Sequence, residues 1–358
     1  MTQTAIKDRP TPAPAAPGGS LTARALPRWA PLGFAAAALA LGCGLGALAG
    51  WESEVQWALV SALFYVAISY TTTSVVENRR QAKDRLATSV VWVCFILAIV
   101  PLFSLIWVTV SRGVKVLDGY FLTHSMAGVP GFEPGGGVYH AIIGTLEQVG
   151  LATLISVPIG LLTAIYLVEY GKGALAKAVT FFVDVMTGIP SIVAGLFLLS
   201  IMLMFDLAPS GLMGALALAI LMIPVVVRST EEMLKLVPNE LREASLALGV
   251  PKWRTILKVV VPTALGGITT GVMLAIARIA GETAPIMLLV FGSQLINNNP
   301  FEGAQSSLPF YIWEQYRVGS EASYDRAWAA ALVLIAFVMI LNLVARGIAR
   351  WKAPKTGR

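Results

Sequence analysis

The chain has 358 residues, 56% of them hydrophobic and only 13% charged, with a mean hydropathy of +0.74. A soluble domain carries about 25% charged residues, so this composition excludes an ordinary soluble protein and points to an integral membrane protein. The formal charge of +6 and the pI near 9.4 fit either a nucleic-acid partner or a membrane protein with a basic cytoplasmic face, and the placement of the basic residues decides between them.

Residues 1–28 are polar and rich in proline and alanine, which predicts a disordered cytoplasmic tail. Apolar runs then predict eight spans, at 31–50, 55–76, 86–110, 141–168, 178–205, 212–227, 259–291 and 327–345. Each is close to or above the ~20 residues that cross a bilayer, except the sixth, which is expected to extend into its flanks. Ala47-Leu48-Ala49 resembles a signal-peptidase site, but the long tail before the first span favours a retained anchor. Gly188 and Pro190 predict a bend in the fifth span, and Gly266, Gly267, Gly271, Gly281 and Pro285 predict a tilt, bend or break in the seventh. Cys43 and Cys94 read as small core residues. Segments 112–140 and 292–326 read as loops, the first a flexible glycine-rich re-entry, the second carrying an Asn297-Asn298-Asn299-Pro300 turn.

With the N-terminus inside, the basic residues segregate. Arg79, Arg80, Lys83, Arg85, Lys172, Lys177, Arg228, Lys235, Arg242, Lys252, Arg254, Lys258 and both termini fall on the cytoplasmic side. Only Arg112, Lys115, Arg317 and Arg326 fall outside, and Arg278 lies within a span. This asymmetry accounts for the basic pI without nucleic acid. The chain carries no GxxxxGK[ST] loop and no HExxH, and its two histidines have no CxxC nearby. No cofactor or metal is therefore implied.

The cytoplasmic stretch between spans six and seven is Val237-Pro238-Asn239-Glu240-Leu241-Arg242-Glu243-Ala244-Ser245-Leu246-Ala247-Leu248-Gly249-Val250-Pro251. Asn239 suits an N-cap and Gly249 the C′ position, with Leu241, Ala244, Ser245 and Leu248 on one small apolar face. Glu243-Ala244-Ser245, then Gly249, then Val259-Val260-Val261-Pro262 resembles the EAA loop of ABC importer permeases. That resemblance implies an all-α type I importer permease with a core of six transmembrane helices, here with two extra N-terminal helices. It further implies that 239–250 is a coupling helix seated on a separate ATPase subunit, with Glu243, Ala244, Ser245 and Gly249 at the contact.

Arg278 and Glu282 lie four residues apart in span seven, so an unbroken helix would put them on one face. An arginine near the bilayer centre costs roughly 2.5–3.5 kcal/mol on insertion scales and marks a transport pathway by default. Its planar fork matches two oxygens of an oxyanion, and Glu282 is placed either to neutralise it or to accept the proton of hydrogen phosphate. A structural ion pair pinning the span is the plainer alternative. The run Ala277-Arg278-Ile279-Ala280-Gly281-Glu282-Thr283-Ala284-Pro285 resembles the PstA-type permeases of bacterial phosphate-specific ABC importers. Gly188-Ile189-Pro190-Ser191 and Ser306-Ser307-Leu308-Pro309 add to that resemblance.

It implies a substrate pathway at Arg278, Glu282 and Thr283, and phosphate import by alternating access with no catalytic residue on this chain. The implied partners are a PstC-type permease, two PstB-type ATPase subunits, an extracytoplasmic PstS-type phosphate-binding protein, phosphate ion and membrane lipid. The implied place is the bacterial cytoplasmic membrane, with both termini inside. The organisation expected is a tail at 1–28, a two-helix anchor at 29–85, a permease domain at 86–350 and a tail at 351–358. Permeases for sulfate, molybdate or phosphonate share the cytoplasmic loop. An ATP-independent secondary transporter leaves that loop unexplained. Asp184 reads as a vestibule or helix-bonding group, Glu147 as reaching headgroups, and Arg228 as an interfacial anchor.

Overall fold

The computed structural model describes residues 26–27 and 29–352, so the expected tails fall almost wholly outside the described residues. Among the described residues seven helices are long and apolar enough to cross a membrane, and a bent pair makes an eighth crossing if taken together. The chain divides into two compact units, Met1–Leu105 and Ile106–Arg358, a division that falls inside a helix, past the expected anchor boundary at residue 85.

In the first unit, α1 (Ala30–Leu48) packs on α2 (Glu54–Val76). Its buried side is Ala38, Gly42 and Gly46, small residues four apart that let backbones approach closely in a membrane. Gly42 meets Ser61 and Gly46 meets the Trp57 indole, whose N–H donates to the Trp51 carbonyl at 3.1 Å. α3 (Arg79–Gly113) starts earlier than its apolar run because the Asn78 side chain accepts from the Gln81 N–H at 2.8 Å. Its polar contacts with the α2 segment are the buried Ser69 and Ser89 hydroxyls at 3.2 Å and Arg85, which donates to Thr73 at 3.5 Å and pairs with Glu77, just past the end of α2, at 3.4 Å. Cys43 and Cys94 are exposed rather than packed in a core.

The second unit continues from α3 through a short α4 (Gly119–Thr123), capped by Asp118, to α5 (Tyr139–Ile165) and a π-helical turn, Tyr166–Tyr170. The 112–140 segment is not the flexible re-entry expected. Arg326, buried in the last helix, donates to the carbonyls of Glu133 at 2.6 Å and Gly135 at 3.0 Å, and to that of Gly131. A guanidinium has five donors in a fixed fork, so one side chain organises a whole turn of loop backbone.

The fifth span is not one helix. α6 (Gly173–Thr187) and α7 (Ser191–Met204) meet at 105° across Gly188-Ile189-Pro190. Pro190 has no N–H to continue the ladder and holds an extended φ/ψ of −59°/138° as the N-cap of α7. α8 (Gly211–Lys235) is longer than its apolar run, as expected of the sixth span. α9 (Asn239–Ala247) is the short cytoplasmic helix. α10 (Lys252–Thr255), a π turn (Ile256–Val260) and α11 (Val261–Ala280) run together as the seventh span, which stops at Gly281. α12 (Ala284–Leu289) follows the break.

The 292–326 segment is not all loop, since α13 (Leu308–Val318) forms there. Ser307 caps it, accepting from the Phe310 N–H at 3.4 Å, Pro309 sits in its first turn, and Gly319 ends it at φ 78°. α14 (Glu321–Lys352) closes the chain. Among the described residues no strand forms.

The core of this unit lies where α5, α7, α8, α11 and α12 converge, through Ala152, Leu198, Met222, Ala275, Ile279 and Leu289. Close approach depends on small residues. A Cβ on Gly160 would stand 2.6 Å from Val226 Cγ1, and one on Gly144 would collide with the Ser306 carbonyl. Glu147 does not reach toward headgroups; it accepts from the Gln305 amide at 2.6 Å, and the neighbouring Gln148 donates to Gln305 and to the Ser306 carbonyl, both at 3.2 Å.

Overpacking a closed helix contact costs about 1–3 kcal/mol. Gly144→Val is therefore expected to lower the thermal unfolding midpoint of the purified protein by several degrees. Gly150→Val, with nothing within 4 Å, leaves it unchanged. Equal midpoints for the two variants would remove the close-contact account.

Candidate functional site

Arg278 occupies the last turn of α11, and its neighbour Ile279 is buried in the same core cluster as Ala152 and Met222, each near the middle of its own helix. The arginine is thus at mid-height of the helical core, as expected, yet its side chain is exposed in this single chain. The expected shared face does not form. Gly281 ends α11, with its N–H and that of Glu282 donating back to the Arg278 and Ile279 carbonyls at 3.2 Å. Glu282 and Thr283 then sit in the break, both half-buried. Among the described residues no ion pair joins Arg278 to Glu282 or to any other carboxylate. The break is fixed from behind, because Pro285 packs on Gly195 of α7, where a Cβ would stand 2.8 Å from the proline Cα.

The cytoplasmic helix α9 has the C-terminal geometry read from the sequence. Gly249 sits at φ 77°, its N–H donates to the Leu246 carbonyl at 2.9 Å, and the Val250 N–H donates to the Ser245 carbonyl at 3.3 Å. That is a Schellman cap. The N-terminus differs. Pro238, extended at ψ 142°, is the cap, and Asn239 is the first helical residue. Its side-chain oxygen accepts from Arg242 at 3.3 Å and is not free to cap.

Arg242 is the residue that sequence reasoning passed over. Its Nε donates to Glu169 Oε1 at 2.9 Å, its Nη1 to the Val237 carbonyl at 2.6 Å, and its Nη2 to the Leu234 carbonyl at 2.9 Å. The pair is largely buried, with side chains 15% and 7% exposed. Ser245 bonds Thr255 of α10 at 2.9 Å, and Lys252 donates to the Glu169 carbonyl while its ammonium lies 4.7 Å from the centre of the Tyr170 ring. Arg242 and Ser245 therefore face the body of the chain. Glu243, Ala244 and Gly249 face away, as do Leu241, Leu246 and Leu248, the last 83% exposed. Of the apolar face expected from the spacing, Leu241, Ala244 and Leu248 point outward, while Ser245 turns inward to Thr255.

A third cluster joins α6 to α8. Arg228 pairs with Asp184 and, at 2.7 Å, with Glu231, which Lys235 also reaches at 2.7 Å. Arg228 is thus ion-paired rather than a simple interfacial anchor, and Asp184 bonds a neighbouring helix, one of the roles expected of it. Asp184, Glu231 and Lys235 border an open cleft of about 450 Å³ that Lys177 and Thr180 also line.

Breaking a buried pair by removing one partner costs about 3–5 kcal/mol. Arg242→Met is therefore expected to raise hydrogen exchange across 237–250 by about two orders of magnitude, the low end of that range. The exposed Glu243→Met serves as the control. Unchanged exchange in Arg242→Met would show that the pair does not hold α9.

Residues 156–358 match the family model of the binding-protein-dependent transport system inner membrane component. A relative named phosphate transport system permease protein PstA 1, from Mycobacterium tuberculosis, is 49% identical over 269 residues, which are 75% of this chain and 88% of that protein. A PstA from Pasteurella multocida is 39% identical over 268 residues, covering 75% of this chain and 94% of its own length. A chain of the crystal structure of a bacterial alginate ABC transporter, in complex with a pentasaccharide-bound periplasmic protein, superposes with a TM-score of 0.55. It does so at 18% identity, over 77% of this chain and 97% of that one, and so shares the fold.

Proposed function

The chain belongs to the binding-protein-dependent transport system inner membrane components, and from that premise we propose that it is the membrane subunit of an ATP-driven importer of inorganic phosphate. It is a multi-pass membrane protein, a permease component rather than an enzyme. The substrate follows from its likeness to proteins named as phosphate transport permeases over most of their length. One observation supports the site. Arg278 stands at mid-height beside a helix break with no carboxylate bound to it among the described residues, although Glu282 is four residues away. Such a guanidinium is free to take an oxyanion in a bidentate grip.

The reading assigns a binding protein outside, a homologous PstC-type permease beside this chain and two ATPase subunits on the cytoplasmic face. The termini are cytoplasmic. Residues 86–350 form the permease domain, and 29–85 form a two-helix anchor. The outward-facing leucines of α9, with Glu243, Ala244 and Gly249, offer the apolar seat for an ATPase. Closure of the ATPases pushes α9. The push reaches α5 through Arg242 and Glu169, and α11 through Ser245 and Thr255. From Thr255 to Arg278 the helix runs unbroken for about 34 Å. Displacement of α9 thereby tilts the segment that carries the arginine. Phosphate enters beside Arg278 in the outward state, and hydrolysis resets the inward one.

Labelled-phosphate uptake in starved cells lacking this chain tests the pathway. Wild type is expected to restore uptake that ignores excess sulfate and molybdate. Arg278→Gln and Glu282→Gln are expected to abolish it at wild-type membrane levels. Normal uptake by both variants removes the pathway assignment, and competition by sulfate or molybdate moves the substrate to that oxyanion.

Gly249→Trp separates coupling from transport chemistry. A bulky residue at the exposed C′ position is expected to abolish ATPase co-purification and uptake together, while Gly249→Asn, which tolerates positive φ, keeps both. Wild-type co-purification and uptake in the tryptophan variant would discard the docking role.

A further inference from the structure

We propose that the cleft between α2 and α3 binds one anionic phospholipid of the cytoplasmic leaflet, an acyl chain lying in the cleft and the headgroup phosphate held by Arg79 and Lys83. The two helices touch at Ser69–Ser89 and around Arg85, which reaches Glu77 and Thr73. Elsewhere they leave an open cleft of about 590 Å³ whose walls, apart from Tyr70, are aliphatic. On α3 the lining runs from Leu86 to Leu97, and on α2 from Leu59 to Tyr70. Each stretch rises about 16 Å, close to half of the ~30 Å hydrocarbon core. The cleft is therefore about as long as one leaflet is deep, ending on α2 six residues short of Val76.

Its charge is set by register. Leu86, Val90, Val93 and Leu97 recur at alternating steps of four and three, which makes one stripe along α3. Continued toward the helix start, the same steps reach Lys83 and then Arg79. Both are exposed, and neither has an ion pair among the described residues, whereas Arg85 is engaged with Glu77. Asp84, the acidic residue next to Lys83, lies off the stripe and is exposed. An apolar cleft one leaflet deep, with two unpaired cations at its mouth, has the complementarity of a phospholipid with a negative headgroup. Anionic lipids are concentrated in the cytoplasmic leaflet. A polypeptide filling the cleft would account for neither the one-leaflet depth nor the cationic mouth. The leaflet assignment rests on the orientation proposed above.

The test uses the assembled importer in proteoliposomes containing phosphatidylglycerol or phosphatidylcholine with a photoreactive acyl chain. Wild type is expected to be labelled on the cleft faces of α2 and α3, about fivefold or more by phosphatidylglycerol over phosphatidylcholine. Arg79→Gln with Lys83→Gln is expected to reduce phosphatidylglycerol labelling to the phosphatidylcholine level, and Ala67→Phe, which fills the cleft, to reduce both. Equal labelling by the two lipids, unchanged in the double variant, overturns the proposal, as does capture of a protein subunit by a photocrosslinker placed at Ala67. Lys83→Cys is expected to react with an impermeant maleimide only in inverted vesicles. Reaction from outside would overturn the leaflet and leave the lipid readout standing. Phosphate uptake is not part of the readout, so an error in the substrate does not affect the result.

Discussion

The second unit turns on one guanidinium. Arg242 donates to Glu169, Leu234 and Val237, so a single side chain joins the end of α5, the end of α8 and the start of α9. A helix of nine residues is marginal alone in water, and no residue of α9 is fully buried. What fixes it is polar. Arg242 anchors its first turn and Ser245 its middle, and the Schellman geometry at Gly249 closes its end. This leaves its leucines facing outward. A helix held by its polar side is one that can present its apolar side to another chain.

Around this joint the helices are interrupted rather than uniform. The π turns at Tyr166–Tyr170 and Ile256–Val260 fall where α5 and α11 approach α9. Such turns mark places where the ladder yields, and they recur at functional sites. The breaks at Gly188–Pro190 and Gly281–Thr283 belong to the opposite ends of the same device. Pro285 rests against Gly195, so the short α12 and the bent α7 move as neighbours. Between these soft points the rods of α5, α8 and α11 pack through Gly160 and Gly271 with little room to deform. Rigid rods with discrete joints convert a push into a tilt.

Periodicity and punctuation carried much of this. Apolar runs located the spans, Gly188 and Pro190 announced the bend, and Gly249 announced the cap, because each acts through its own backbone. What escaped was distributed over distance. Glu169 and Arg242 are 73 residues apart, and nothing local to either marks the other. Arg326 reaches carbonyls nearly two hundred residues away, so the loop it organises read as mere flexible glycine. α13 was missed because its Ser307-Leu308-Pro309 start lies inside a segment already read as loop, although serine before proline is a legible start signal. At the candidate pathway, residue types were readable while geometry was not. The i, i+4 pairing of Arg278 and Glu282 presumed a helix that Gly281 ends.

That ending bears on how an arginine is tolerated at mid-height. On an unbroken helix Glu282 would stand one turn beyond Arg278 and neutralise it, and an incoming anion would have to displace a carboxylate. Gly281 ends the helix before Glu282, and Pro285 packs against Gly195 just beyond the break. The guanidinium then retains an insertion cost of roughly 2.5–3.5 kcal/mol, which is tolerable only if the side chain faces water or another polar group. The exposure of Arg278 in the single chain is what the proposed pathway requires of it. An unpaired arginine meets an oxyanion without first having to give up a carboxylate. Under the proposed pathway, the helix break is what leaves the charge available to an anion instead of joining two helices.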